Sequence, residues 1–406
     1  LKPVLKALNT IPVGTGPRDT VAALRACRAE LEAGHVVCIF AEGSITRTGN
    51  LLPFKRGMEK VVHGLSVPVI PVHLDRVWGS IFSFAEGKFF GKWPKRFPHP
   101  VTVSFGEPLP AGATAQDARQ AVSEMASQAA GLRQEPGDTL PARFVQSARR
   151  NWGKFAMADS SGKELTYGRS LTAAVLLSNV VRKQTGNDKM VGLLLPSSVG
   201  GALANLGVSL AGKTPVNLNF TSGREAMALA IQQCGIRTVI TSKVFLAKAK
   251  LERPEGAVFL EDILAAQGKL TKLKALLKAR LAPASSLAPR CDPGSLATVI
   301  FSSGSTGVPK GVMLSHYNII SNVDAVLELF SLDNRDRIMG ILPFFHSFGF
   351  MATIWLPFLT GCGAVYHPVP TDAKTIGELV HKHKGTFLLS TPTFCGTYLR
   401  KCTREQ

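Results

Sequence analysis

The chain has 406 residues, 45% of them hydrophobic and 18% charged, which excludes a disordered polymer and allows two or three domains with cores of their own. Its net charge of +19 is uneven: 16 Lys+Arg face 12 Asp+Glu over residues 1–140, and 31 face 16 over 141–406. Such a surface suits nucleic acid, anionic lipid or acidic partners, but no nucleic-acid-binding motif accompanies it, so nucleic acid is set aside.

Seven cysteines, an odd number without Cys-x-x-Cys spacing, support neither a disulfide framework nor a zinc site and fit a reducing compartment. No metal-ligand set is read, and no secretory leader. The chain opens on Leu1 and stops at Gln406 without a terminal element, and we read it as a piece of a longer protein.

Taken in order, 20–34 predicts a helix closed by Gly34, and Val36 to Ala41 a buried strand. Phe54 to His63 predicts a short helix, Val67 to Leu74 and Val101 to Phe105 two more strands, and Ala115 to Leu132 a helix. This alternation is α/β. The polar run Arg133-Gln134-Glu135-Pro136-Gly137-Asp138 marks a linker, with boundaries at 134–141. Beyond it the alternation restarts: helices at 141–150, 170–184, 199–211 and 223–234, and strands at 191–195, 214–218 and 238–242. Met190 to Gly212 and Ile338 to Thr371 carry no Asp, Glu, Lys or Arg, and length alone would permit membrane helices. Their prolines and glycines argue for buried core instead. Residues 269–280 put leucines on one face of a helix and lysines on the other; the reading adopted is an amphipathic surface helix packed by its leucines on its own domain. An anionic membrane or an acidic carrier protein is the alternative.

The most informative run is Ser302-Ser303-Gly304-Ser305-Thr306-Gly307-Val308-Pro309-Lys310-Gly311. It follows the apolar strand Leu296 to Phe301 and precedes a helix expected near Ser315. Glycines let backbone approach an anion, hydroxyls and N–H groups donate, and lysine adds a point charge, so the run is suited to phosphate. It is not a GTPase P-loop, because Pro309 precedes Lys310 and no Ser or Thr follows the lysine. No Gly-x-Gly-x-x-Gly for a dinucleotide is present.

This run closely resembles the phosphate-binding signature of the adenylate-forming (AMP-binding) enzymes. Phe155 to Gly168 resembles that family's opening, and Leu342-Pro343-Phe344-Phe345-His346-Ser347-Phe348-Gly349 its next block. Ser390-Thr391-Pro392-Thr393-Phe394 resembles a later turn beside the nucleotide pocket. The resemblance implies that Ser302, Ser303, Gly304, Ser305, Thr306, Gly307 and Lys310 hold the phosphates of ATP, with Mg²⁺ as cofactor. It implies that His346 and Phe348 line the carboxylate pocket. The family's Tyr-Gly-x-Thr-Glu block, ribose-gripping aspartate and late catalytic lysine are expected beyond Gln406.

Upstream, Phe40-Ala41-Glu42-Gly43-Ser44-Ile45-Thr46-Arg47, followed by Val67-Pro68-Val69-Ile70-Pro71-Val72, resembles two blocks of the glycerolipid acyltransferases. That resemblance implies that Glu42, Gly43 and Arg47 help hold the acceptor's phosphate, although Arg47 lies two residues later than in many members. The catalytic His-x4-Asp pair is expected before Leu1. The match that this sequence does contain, His367 to Asp372, lies downstream of Glu42 in the other unit and is set aside as chance.

The expected fold is therefore α/β: a partial acyltransferase domain over 1–133, then a partial adenylate-forming large domain over 142–406. The order resembles enzymes in which one half charges a fatty acid onto the phosphopantetheine thiol of acyl carrier protein, or onto CoA, and the other half acylates a lysophospholipid. It implies membrane association, at the cytoplasmic face of the bacterial inner membrane. A ligase for another carboxylate, with a non-catalytic acyltransferase-like docking domain, is the alternative. The piece in hand is expected to be inactive by itself in both reactions.

Overall fold

The computed structural model describes residues 9–14, 16–89, 91–93, 97–110, 112–302, 309–330 and 332–402. The chain divides into two compact units, Leu1–Gln134 and Glu135–Gln406.

In the first unit, helix α1 (Pro17–Glu32) starts with proline at its first position, where a missing N–H costs nothing. Helix α2 spans Gly57–Val62 and helix α3 Ala115–Gly131. Thr114 and Asp117 cap α3 reciprocally: the Asp117 N–H donates to Thr114 Oγ1 at 3.2 Å, and the Thr114 N–H to Asp117 Oδ2 at 2.8 Å. Strands β1 (Val72–Asp75) and β2 (Thr102–Phe105) pair antiparallel, Val72 opposite Phe105. The small core gathers Met58, Ala115 and Ala118, with Phe54, Val69 and Leu109 against them.

The strand expected at Val36 to Ala41 does not form. Val36 is 99% exposed and Phe40 76%. A strand needs a neighbour to take its N–H and C=O groups, and among the described residues none lies beside this segment in a ladder. β-Branched composition cannot replace that partner.

An ion pair ties the end of this unit to its sheet. Arg133 grips Asp75 with two nitrogens, Nε at 2.9 Å from Oδ2 and Nη2 at 2.5 Å from Oδ1. Asp75 is buried. Burial alone would raise its carboxyl pKa, but the Arg133 hydrogen bonds and charge outweigh it and hold the group below the usual value. Arg133→Ala strands a buried carboxylate and is expected to destabilise the first unit by about 2–3 kcal/mol, less than the roughly 3–5 kcal/mol for fully buried pairs because Arg133 is half-exposed. The carboxyl's contribution is present above its unfolded pKa of about 4 and is lost as pH falls below it. Denaturant melts at pH 7 and in the acid range should therefore converge for wild type and variant as pH drops; a constant gap would refute the pairing.

In the second unit, helix α4 (Leu140–Arg150) buries Leu140, Phe144, Val145 and Ala148. Strands β3 (Phe155–Asp159) and β4 (Glu164–Thr166) form a hairpin, absent from the sequence reading, around the turn that Gly162-Lys163 marks. Then come α5 (Tyr167–Thr185), β5 (Met190–Leu193), α6 (Val199–Leu210), β6 (Thr214–Asn217), α7 (Arg224–Gln233), β7 (Val239–Thr241), α8 (Lys243–Ala249), β8 (Ala257–Phe259), α9 (Leu260–Ala265) and α10 (Lys269–Leu281). After α11 (Ala284–Leu287), β9 (Leu296–Ser302) and β10 (Lys310–Ser315) lead into α12 (His316–Leu329). The rest is β11 (Arg337–Gly340), α13 (Ser347–Phe350), a π-helical stretch (Met351–Trp355), α14 (Leu356–Thr360), β12 (Gly363–Tyr366), α15 (Ala373–His383), β13 (Phe387–Leu388) and α16 (Pro392–Lys401).

Two sheets result. One has the order β6-β5-β7-β8 and is all parallel. The other has the order β13-β11-β12-β3-β4, parallel except for β4. Between the helices, Tyr167, Phe144, Phe358 and Trp355 fill the largest core, and Tyr167 Oη lies 2.7 and 2.6 Å from the Pro357 and Cys362 carbonyls. The two uncharged stretches become α6, which is largely buried, and the β11–β12 region of this core. Among the described residues no helix is long and apolar enough to cross a membrane.

Candidate functional site

Parallel strands put their carboxyl ends at one sheet edge, where open α/β sheets hold ligands. The loops after β11, β12 and β13 leave from that edge. They carry His346, the His367–Asp372 pair and Ser390-Thr391 respectively.

His346 is exposed at the start of α13. Its ring lies against Phe345, centroids 4.8 Å apart. Phe345 meets Phe220 edge-on at 5.1 Å, and Phe220 meets Phe245 at 5.0 Å. Phe348 is 50% exposed on the same loop. The loop is pinned from behind, where Ser197 Oγ donates to the Leu342 carbonyl at 2.9 Å. Phe220, Phe245 and Ser197 were missed by sequence reasoning. They come from segments more than a hundred residues away, and no local pattern announces their meeting with His346.

Strand β9 runs beside β6. Thr298 Oγ1 donates to the Pro215 carbonyl at 2.7 Å, and Thr214 Oγ1 to the Leu296 carbonyl at 3.4 Å. Residue numbers rise together in the two bonds, so β9 and β6 point the same way. The Ser302 end of β9 and the Phe220 end of β6 thus lie on one side. β10 returns antiparallel to β9, with Lys310 opposite Ser302. The helix expected near Ser315 starts there, at His316 with Ser315 as its cap; the strand between it and the phosphate run was not foreseen from the sequence. Of the expected phosphate ligands, Ser302 and Lys310 are exposed and face each other across the ladder. Ser303, Gly304, Ser305, Thr306 and Gly307 lie outside the described residues. A hydroxyl and an exposed ammonium at the end of a hairpin suit phosphate oxygens. Among the described residues no group of three or more His, Cys, Asp or Glu side chains converges to hold a metal; Mg²⁺ at a phosphate site typically takes one or two carboxylates together with the phosphates themselves.

Just after β10, His316 is buried, and burial pushes its pKa down to about 4, so its ring is neutral at pH 7. His367 Nε2 stands 3.3 Å from Asp372 Oδ2. Burial lowers the His367 pKa, and the Asp372 charge opposes that without cancelling it. Asp372 also caps α15 by accepting the Thr375 N–H at 3.2 Å, so the pair set aside from the sequence is a real contact with a structural duty.

In the first unit, Glu42 and Gly43 sit in a turn closed by the Gly43 N–H donating to the Phe40 carbonyl at 3.0 Å. Gly43 has φ +65°, and a Cβ there would fall 2.8 Å from the Lys55 side chain. Glu42 Oε2 accepts the Leu52 N–H at 2.7 Å. Arg47 stacks over the Phe84 ring at 5.3 Å. The cation that lies against the Glu-Gly turn is Lys55, twelve residues after Gly43, which no motif spacing indicated.

Residues 144–406 match the family model of AMP-binding enzymes, and residues 1–75 that of acyltransferases. The chain belongs to the AMP-binding enzyme family. It is 28% identical over 267 residues to a medium-chain fatty-acid–CoA ligase of Escherichia coli, covering 61% of this chain and 45% of that protein. It is 25% identical over 290 residues to a long-chain-fatty-acid–CoA ligase of Bacillus subtilis, covering 64% and 51%. Among solved structures, the O-succinylbenzoate coenzyme A synthetase of Bacillus subtilis, in complex with ATP and magnesium, aligns with a TM-score of 0.54 at 16% identity, covering 67% of this chain and 68% of that one. That likeness shows a shared fold. The chain spans about half the length of the two ligases it matches.

Proposed function

We propose that the whole protein activates a fatty acid with ATP, loads it on acyl carrier protein or CoA, and transfers it to a lysophospholipid. This is the combination of an acyl-[acyl-carrier-protein] synthetase with a 2-acylglycerophosphoethanolamine acyltransferase. The observation that carries it is the order on one chain: an acyltransferase match at 1–75, then an AMP-binding match at 144–406.

In the first reaction a carboxylate oxygen attacks the α-phosphorus and pyrophosphate leaves. Lys310 and the hydroxyls of its run offset the charge that builds on phosphate oxygens. A thiol then displaces AMP to give a thioester, and the lysophospholipid hydroxyl attacks that thioester and releases the thiol. When bound, Mg²⁺ neutralises phosphate charge; this chain's described residues are assigned no part in holding it. Exposed Phe348, with half-buried Phe220 and buried Phe345 behind His346, gives the acyl chain of the carboxylate an apolar wall. In the acyltransferase unit, Glu42, Gly43 and Arg47, with Lys55 beside them, are the acceptor-phosphate residues. Joining two sites on one chain raises the local concentration of the shared thioester. On this reading the protein works at the cytoplasmic face of the bacterial inner membrane, where a lysophospholipid acceptor would be met.

Full-length protein supplied with fatty acid, ATP, acyl carrier protein and lysophospholipid should yield diacyl phospholipid, followed by lipid chromatography. Lack of any ATP-dependent lipid product sinks the reading. The ligase relatives favour a second one, acyl-CoA synthesis with a non-catalytic first unit; thioester formation with no transfer from preformed acyl thioester would select it.

A further inference from the structure

The leucines of α10 face solvent. Leu270 is 64% exposed, Leu273 50%, Leu276 41%, Leu277 50% and Leu281 74%, whereas Ala275 and Ala279 are the buried residues of the helix. This reverses the orientation expected from the sequence, in which the leucines packed inward. The reason is geometric. Leu273 and Leu277 stand two positions either side of Ala275, and Leu277 and Leu281 two either side of Ala279. Two positions turn a helix by about 200°, so the leucine row lies nearly opposite the alanine row. Small alanines let α10 settle on the core containing Leu171 and Val175 of α5. Arg149 holds the far end by donating to the Ala279 carbonyl at 2.9 Å and also to the Ala282 carbonyl. Arg280 is spread over the Trp152 ring at 4.8 Å.

Lys274 and Lys278 line one flank of the leucine row, and Lys269 and Lys272 the other. The helix contains no Asp or Glu. The acids just before it are engaged: Glu261 accepts Ser242 Oγ at 2.6 Å, and Asp262 pairs with Lys243 at 2.6 Å. The helix that α10 packs against, α5, carries Arg182 and Lys183 in its last turn. Scattered exposed leucines are ordinary; five in one row, bordered by cations and rigidly backed, form an apolar stripe in a basic field.

We infer that α10 is a docking surface for an anionic lipid bilayer, lying in the interface with its leucines among the acyl chains and its lysines at the headgroups. Charge complementarity selects the occupant: a straight stripe flanked on both sides by ammonium groups matches a plane of anionic headgroups over an apolar layer. The inference stands apart from acyl transfer, since it requires no reaction.

The full chain is sedimented with vesicles of phosphatidylcholine alone and of phosphatidylcholine mixed with phosphatidylglycerol. Binding is expected on the mixed vesicles and should weaken with salt. Lys269→Gln/Lys272→Gln/Lys274→Gln should lower partitioning roughly a hundredfold, about fivefold for each lysine. Leu273→Gln/Leu277→Gln should also release the chain from mixed vesicles. Wild-type chain bound to mixed vesicles should resist tryptic cleavage at Lys269–Arg280, a readout that needs no variant. Equal binding to both vesicle types, undiminished binding by both variants, or unchanged cleavage on mixed vesicles would overturn the proposal. So would loss of lipid binding in favour of an acidic carrier protein in solution.

Discussion

Lys310→Ala, made in the full-length protein, is expected to slow ATP-dependent carboxylate activation about a hundredfold, read as pyrophosphate exchange. The figure follows from one charge-assisted phosphate contact, worth about 2–3 kcal/mol in a transition state that gathers charge on phosphate oxygens. Lys310 is exposed, and its backbone sits opposite Ser302 in the β9–β10 ladder. Its carbonyl is 3.5 Å from Ser302 Oγ. Truncating the side chain should therefore leave the melting temperature unchanged, as is usual for surface sites. Transfer from a preformed acyl thioester should also persist. A threefold effect or less on exchange would remove Lys310 from the phosphate site, and parallel loss of both reactions would argue against two separable sites.

Gly349→Ala is expected to have a large effect on the stability of the second unit. A Cβ at this position would lie 2.1 Å from the Pro343 carbonyl oxygen, 2.9 Å from its carbon and 3.1 Å from the Leu342 oxygen. All three are backbone atoms, so no rotamer change relieves the clash. The loop carrying His346, Ser347 and Phe348 would have to shift, with loss of the His346 N–H bond to the Pro343 carbonyl at 3.2 Å. Overpacking of this kind costs about 2–3 kcal/mol, a fall of about 4–5 °C in melting temperature for a unit this size. Gly396, inside α16, is the contrast. A Cβ there meets nothing within 4 Å, and Gly396→Ala should stabilise by about 0.5–1 kcal/mol through helix propensity. Calorimetry of the two variants checks the pair; equal shifts would mean that the close approach at Gly349 yields at no cost.

The helices were legible wherever caps and periodicity agreed. The helix expected from Ala115 starts at that residue in the structure, and the α6 bounds differ from expectation by one residue at one end. The β10 strand was not legible: Lys310–Ser315 is short, and its pairing with β9 gives it its identity. The failed strand at Val36 to Ala41 is the converse case, an apolar β-branched run with no described neighbour to complete it. At the site, the residues with motif spacing were named, whereas Phe220, Ser197 and Lys55 were not, because each acts on a segment distant in the chain or outside any motif.

By itself, the sequence determined what is settled within a few residues: helix starts and the α/β alternation. Tertiary structure alone decided which side of an element is inside. In α10 the 3.6-residue period grouped the leucines on one face but carried no sign, and the alanines took the core because only small side chains let that helix approach α5 closely. The same holds at Gly349, whose need for glycine arises from the carbonyl of Pro343 folded back against it. Periodicity and propensity are local free energies; burial is a property of what comes to lie next door.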